Sequence, residues 1–268
     1  MSTAHATLNA ETYGTGDLVI AYLHGWSGDH SSVEPLLNYF PDHVRVVAFD
    51  MPGVGDSPDP DEWSAEHVAS TVLAALQSIE ANQLVIVGNC SGANLLLPIL
   101  PKLGGLADHL VMIDPFAYTP WYFRLLLSWP FGAFFYWFAF LTPVGRWLTN
   151  TSLKERRTEE SHLTESFERV HPWNTYRYLR LLSSLGHGSE YPENPVPTTI
   201  LTGEKTFKAI RESVDIWSEM WPQSTIRVLR NAGHLPILEA TEQVSGAVLE
   251  AINWTPVKRV SGNQHSPD

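Results

Sequence analysis

Gly88-Asn89-Cys90-Ser91-Gly92 constrains this chain more than any other stretch. It follows the apolar run Leu84-Val85-Ile86-Val87 and precedes a helix-like run from Ala93 to Leu103. Read as strand, sharp turn and helix, it sets small residues two before and two after Cys90. A nucleophile elbow needs that spacing, because only glycine-sized neighbours let strand and helix approach closely enough to hold the central residue in a strained turn. An isolated cysteine at a strand end more often behaves as a small buried hydrophobe. The match therefore takes its meaning from the order of the segments around it.

Six strand-like segments can be read: Leu18–Leu23, Val44–Phe49, Leu84–Val87, Leu110–Ile113, Thr198–Leu201 and Thr225–Leu229. Most are near-continuous Val/Ile/Leu runs, as parallel strands buried on both faces require. Helical patterns alternate with them over Ala65–Glu80, Ala93–Leu103, Phe207–Glu219 and Thr241–Ile252. This alternation predicts an α/β chain with a doubly wound, mostly parallel sheet. Thr7–Tyr13 can add a short antiparallel edge. From about Phe116 to about Tyr191 the strand signal stops. That stretch reads as a helical insertion, first aromatic and apolar (Trp121 to Trp147), then charged and amphipathic (Lys154 to Ser183). The expected division is a core of residues 1–115 and 192–254, a helical cap of residues 116–191, and a polar, disordered tail over 255–268.

Composition narrows the function. Asp and Glu number 29 against 17 Lys and Arg, a formal net charge of −12. Nucleic acid is an unsuitable partner, since phosphate binding needs a basic stripe. One cysteine rules out an intrachain disulfide and a cysteine-based metal cluster. The N-terminus lacks a basic region followed by an apolar core, so the reading is a cytoplasmic protein without a signal peptide. No metal or cofactor is implied.

The ordered motifs resemble the α/β-hydrolase fold over about Leu18 to Ile252. His24-Gly25-Trp26 follows the first strong strand, as the family's oxyanion loop does. Asp50-Met51-Pro52-Gly53-Val54-Gly55-Asp56-Ser57 is similar to its D-x-P-G-x-G-x-S turn. The elbow comes next, and Asn231-Ala232-Gly233-His234 follows the last strand, where the family places its catalytic histidine. The resemblance implies Cys90 as nucleophile and His234 as general base. It implies an oxyanion hole from the amides of Trp26 and Ser91, supported by His24 and Gly25, with Gly88 and Gly92 shaping the elbow. Asp50 and Ser57 are read as structural. Ser91 is a weaker alternative nucleophile, because Asn89 would then stand where a small residue is needed.

The acid departs from the pattern. The resemblance implies a carboxylate after Gly203-Glu204-Lys205, but the residue there is Thr206. Val111-Met112-Ile113-Asp114 instead ends the preceding strand with a carboxylate, a position that some haloalkane-dehalogenase-like members use. Asp114 is the expected acid, with a helix or turn cap as its bland alternative. Glu204 is the fallback, and a Cys-His dyad is a third arrangement, since a thiol needs less help to ionise than a hydroxyl.

An acylated Cys90 would be a thioester, open to water or to thiols, amines and alcohols. Three readings follow. The first is a cofactor-independent hydrolase of a hydrophobic ester or thioester. The second is an acyltransferase using the same acyl-enzyme, and the third a non-catalytic ligand-binding protein. In the insertion, Arg124 and Arg146 flank about 20 uncharged residues, long enough to span a bilayer. Pro130, Gly132 and Pro143 interrupt the run, and both flanks belong to one sheet, so a spanning helix is rejected. Its aromatics, with Trp129, Phe134 and Phe138 as representatives, are expected to line a pocket for a hydrophobic small-molecule or acyl substrate. Peripheral contact between the cap and a membrane surface is a further expectation.

Overall fold

The computed structural model describes residues 7–128, 130–152 and 170–252. Seven strands form one sheet: β1 (Ala10–Tyr13), β2 (Leu18–Leu23), β3 (Val44–Phe49), β4 (Gln83–Asn89), β5 (His109–Ile113), β6 (Thr198–Gly203) and β7 (Thr225–Leu229). Their order is β1-β3-β2-β4-β5-β6-β7. β2 through β7 run parallel, and β1 pairs antiparallel with β3 as the edge. The central strands are apolar throughout because each face meets a separate core. Val19, Ala21 and Leu23 enter one cluster, and Ile20 and Tyr22 the other.

Eleven α-helical segments are described. α1 (Glu34–Leu37) follows β2, and α2 (Ala65–Gln77) follows β3. After β4 come α3 (Ser91–Asn94) and α4 (Leu100–Leu103). The single helix expected over Ala93–Leu103 is broken at this point. Pro98 lies in a 3₁₀ turn over Leu97–Ile99 and Pro101 in the first turn of α4, and neither can donate a helical hydrogen bond. The insertion between neighbouring strands β5 and β6 holds α5 (Trp121–Leu127), α6 (Gly132–Leu141), α7 (Pro143–Ser152) and α8 (Pro172–Ser184). Then α9 (Lys208–Met220) follows β6, and α10 (Pro236–Glu239) and α11 (Thr241–Ile252) follow β7. α2 and α9 bury Val68, Leu76 and Trp217 in one core, while α1 and α11 bury Leu36, Val244 and Val248 in the other. Helices thus cover both faces.

Sequence expectations for residues 153–169, including most of the charged half of the insertion, and for the tail fall outside the described residues, as does Trp129. Among the described residues no single helix is long and apolar enough to cross a membrane. α5 and α6 are apolar together but meet at 109°.

Strand order positions the site. The chain steps from β2 to β3 in one direction, and β4 returns to the other side of β2. Loops leaving the carboxyl ends of β2 and β4 diverge, and the crevice between them is where a doubly wound sheet binds ligands.

Candidate active site

Cys90 sits at the end of β4 with φ 49° and ψ −108°. An L-residue accepts this conformation only when its surroundings enforce it. Here the enforcement is steric. A Cβ on Gly92 would lie 2.4 Å from the Leu23 carbonyl oxygen, and one on Gly88 would lie 2.6 Å from Ala93 Cα. The Cys90 amide also donates to the Ile113 carbonyl at 2.7 Å, which ties the turn to β5.

Positive φ recurs around this point. Among the described residues the non-glycine cases are Ser27, Cys90, Asp114 and Asn231. They belong to the loops after β2, β4, β5 and β7, the loops that converge at the crevice. Strain concentrated this way marks a functional site more than a folding accident.

His234 arrives from the loop after β7. Its Nε2 lies 3.8 Å from Cys90 Sγ, and its Nδ1 lies 2.9 Å from Asp114 Oδ2. A carboxylate only accepts, so Nδ1 carries a proton and donates it to Asp114, leaving Nε2 toward the sulfur. Asp114 is fully buried at the end of β5. Its Oδ1 accepts from the Gly203 amide at 3.0 Å, and its Oδ2 also accepts from the Thr206 hydroxyl at 2.7 Å. Thr206, standing where the resemblance implies an acid, is therefore a hydrogen-bond partner of Asp114. Glu204 turns away: its carboxylate accepts from the Asn231 amide at 2.8 Å and braces the histidine loop from outside.

Burial pulls the His234 pKa down, but the Asp114 hydrogen bond and the proximity of Cys90 overcome it and push the pKa up to about 10. The ring is 15% exposed and its carboxylate partner 0%, so solvent screens the pair weakly. A pKa raised from 6.5 means that protonated His234 favours the folded state. That stabilisation is complete below pH 6.5 and is lost as pH rises through about 10. Asp114→Asn removes the principal cause of the rise. Urea unfolding across this range is expected to show the stability gap between wild type and Asp114→Asn shrinking steadily with pH. A constant gap would mean that the carboxylate does not hold the imidazolium.

The loop after β2 faces Cys90. A Cβ on Gly25 would lie 3.5 Å from Cys90 Cβ. His24 is buried beneath it. Its Nε2 accepts from the Met51 amide at 3.0 Å, so Nδ1 carries the proton and donates to the Gly25 carbonyl at 2.8 Å. Burial lowers its pKa, which keeps the ring neutral. His24 thus ties the loop carrying Gly25 and Trp26 to the Asp50–Ser57 turn. Asp50 accepts from the His30 amide and ring, from Asn9 and from the Asp56 amide, and Ser57 donates to the Asp50 carbonyl. Burial alone would raise the Asp50 pKa, but these donors hold it below the usual carboxylate range. This turn makes no contact with the Cys90 thiol or the His234 ring among these bonds.

Trp26 reaches further than its amide. Its indole N–H donates to the Thr175 carbonyl of α8 at 2.8 Å, and its ring packs edge-on against Phe123 and Phe140. One residue therefore links the loop beside Cys90 to the inserted helices. Sequence reading missed this, together with Thr206 and the Phe207 ring, which lies edge-on to His234 with centroids 4.7 Å apart.

A cavity of about 750 Å³ opens over Cys90 and His234. Trp26, Phe116, Tyr122, Phe123, Leu126 and Phe140 dominate its apolar walls, and no Asp, Glu, Lys or Arg lines it among the described residues. Phe134 and Phe138, expected in the pocket, are absent from its walls and lie exposed on the outer side of α6. α6 turns Tyr136 and Phe140 inward instead, toward Trp26. No group of three or more His, Cys, Asp or Glu among the described residues could hold a metal ion.

Comparison with known proteins agrees with this arrangement at the level of the fold. The model of the alpha/beta hydrolase family matches residues 20–247. A Haemophilus influenzae protein whose name places it with the esterases and lipases is 19% identical over 244 residues, covering 88% of this chain and 83% of its own. A pimeloyl-acyl-carrier-protein methyl ester esterase of Methylococcus capsulatus is 40% identical over 67 residues, 25% of this chain and 26% of that protein. Among solved structures, an esterase from Exiguobacterium antarcticum superimposes with a TM-score of 0.75 at 17% identity, covering 93% of this chain and 98% of that one. The match of the family model across most of the sheet, with the strained turn, the histidine loop and the crevice all inside it, means that this chain belongs to the alpha/beta hydrolase family.

Proposed function

We propose that the protein hydrolyses a hydrophobic, uncharged ester or thioester through an acyl-enzyme on Cys90. The Cys90–His234–Asp114 alignment at 3.8 and 2.9 Å carries this reading. His234 Nε2 holds the proton that ionises the thiol, an arrangement its raised pKa favours, and the thiolate attacks the acyl carbon to form a C–S bond. The oxyanion is held by the amides of Ser91, the first residue of α3, and Trp26. The intermediate collapses by breaking the bond to the leaving alcohol or thiol, which takes the proton from His234. Water then gives a proton to Nε2 and attacks the thioester carbon. The C–S bond breaks, and the acid leaves with Cys90 restored.

The inserted helices act in this reading as a cap that roofs the acyl group. Among the described residues the walls carry no Asp, Glu, Lys or Arg, which favours a substrate that brings no uncompensated charge, since burying one is costly. The names of the two relatives above, both esterases in whole or part, support ester chemistry without fixing the acyl group.

Intact-protein mass spectrometry after mixing with a panel of aryl esters and acyl thioesters tests the reading. The expected result is a transient adduct of acyl mass, absent in Cys90→Ala, that decays in water at a rate unaffected by added amine or alcohol. Decay accelerated by the acceptor, with conjugate as product, would make the protein a transferase. No adduct and no product across the panel would sink the acyl-enzyme and leave a binding protein on this fold.

A further inference from the structure

We infer that the outer face of α5, α6 and α7 docks on an anionic lipid bilayer and that the cavity draws its substrate from it. Phe131, Phe134, Trp137, Val144 and Trp147 each leave half or more of their surface exposed, and Trp121 leaves 74%. Exposed apolar residues stand at helical spacing on each helix: Trp121 and Leu125 on α5, Phe134, Trp137 and Phe138 on α6 with Phe135 also exposed beside them, Val144, Trp147 and Leu148 on α7. α5 packs on α6, and α6 on α7. Soluble monomers rarely leave this much contiguous apolar surface to water without a use for it.

Charge selects the occupant. The chain carries 29 acidic residues, yet residues 115–152 contain none, and their only charges are Arg124 and Arg146. Among the described residues, α5, α6 and α7 carry no carboxylate, and Arg124 is exposed on α5 beside Trp121 and Leu125, an arrangement complementary to anionic headgroups. Tryptophan and arginine are also the side chains that sit well at a lipid interface, with apolar bodies in and polar ends out. Trp121 and Leu125 belong to the exposed face and to the cavity wall at once. The surface therefore continues into the site, and an acyl chain can pass from bilayer to Cys90 without crossing water.

Docking is independent of the chemistry at Cys90, so it is read by co-sedimentation with vesicles rather than by turnover. Wild type and Cys90→Ala are both expected to bind mixed phosphatidylcholine–phosphatidylglycerol vesicles, and phosphatidylcholine vesicles several-fold more weakly. Arg124→Gln should lower binding to the mixed vesicles about fivefold. Phe134→Ser/Trp137→Ser, whose side chains lie outside the cavity wall, should lower it at least about tenfold. Turnover of a water-soluble short-chain aryl ester should be unchanged in the double variant. Wild type that stays in the supernatant with both vesicles, or a double variant that binds as wild type does, overturns the docking. A wild-type dimer converted to monomer by the double variant would overturn it too and assign the face to a second copy of the chain.

Discussion

Cys90→Ala is expected to lower kcat/KM for an activated aryl ester by at least about 10⁴-fold, the scale at which removing a triad member leaves only binding and oxyanion stabilisation. The loss should fall on kcat. The aromatic walls of the cavity, which set substrate affinity in this reading, are untouched by the change. Cys90→Ser separates position from chemistry. A serine hydroxyl would keep His234 and Asp114 in place, but oxygen reaches less far than sulfur, so the present 3.8 Å separation would widen. A hydroxyl also ionises far less readily than a thiol. An intermediate loss of roughly 10² to 10³-fold is expected. The chain's only cysteine is Cys90, so one mass shift after treatment with iodoacetamide reports its alkylation, and activity should disappear in step with that shift. Steady-state kinetics on the two variants checks the argument, and a serine variant as fast as wild type would remove the case for a thiolate.

Asp114→Asn is expected to be worse than Asp114→Ala. The Gly203 amide is a fixed donor 3.0 Å from Oδ1. In the asparagine variant that amide demands the side-chain oxygen, which leaves the NH₂ group facing His234 Nδ1. Nδ1 must then accept, the proton moves to Nε2, and the ring can no longer take a proton from Cys90. Alanine leaves the ring free to adopt either tautomer and loses only orientation and charge. We expect about 10³-fold loss of kcat for asparagine and about 10²-fold for alanine, both below the penalty in a serine triad because a thiol depends less on its acid. Equal losses would show that charge, not tautomer, is what Asp114 supplies. The Thr206 hydroxyl, 2.7 Å from Oδ2, is expected to play a smaller part through the same carboxylate.

The sheet was legible because its physics is local and repetitive. Leu18–Leu23, Val44–Phe49 and Thr225–Leu229 are strands with the bounds that their apolar runs suggest. Burial on both faces leaves no charged residue in β2 or β4. The elbow was legible for a different reason: two glycines at fixed spacing record a clash that any side chain would cause. α6 was not legible in the same way. Gly132–Leu141 is apolar on every side, so its pattern carries no phase, and nothing in it distinguishes Tyr136 and Phe140, which turn inward, from Phe134 and Phe138, which do not. The roles of Thr206 and of the Trp26 indole depend on partners 92 and 149 positions away. Such pairings are products of the tertiary fold and leave no local mark.

Placing the carboxylate at the end of β5 has a consequence for how such a chain can change. Cys90 and Asp114 stand at the ends of adjacent, hydrogen-bonded strands, so the distance between them is part of the sheet register and not of any loop. The segment after β6 has been relieved of supplying a charge. It keeps one hydroxyl for Asp114 and offers Phe207 to the imidazole and the cavity. Successive substitutions there can reshape what the pocket accepts while the reacting atoms stay where they are, so selectivity and reactivity are free to evolve on separate parts of the chain.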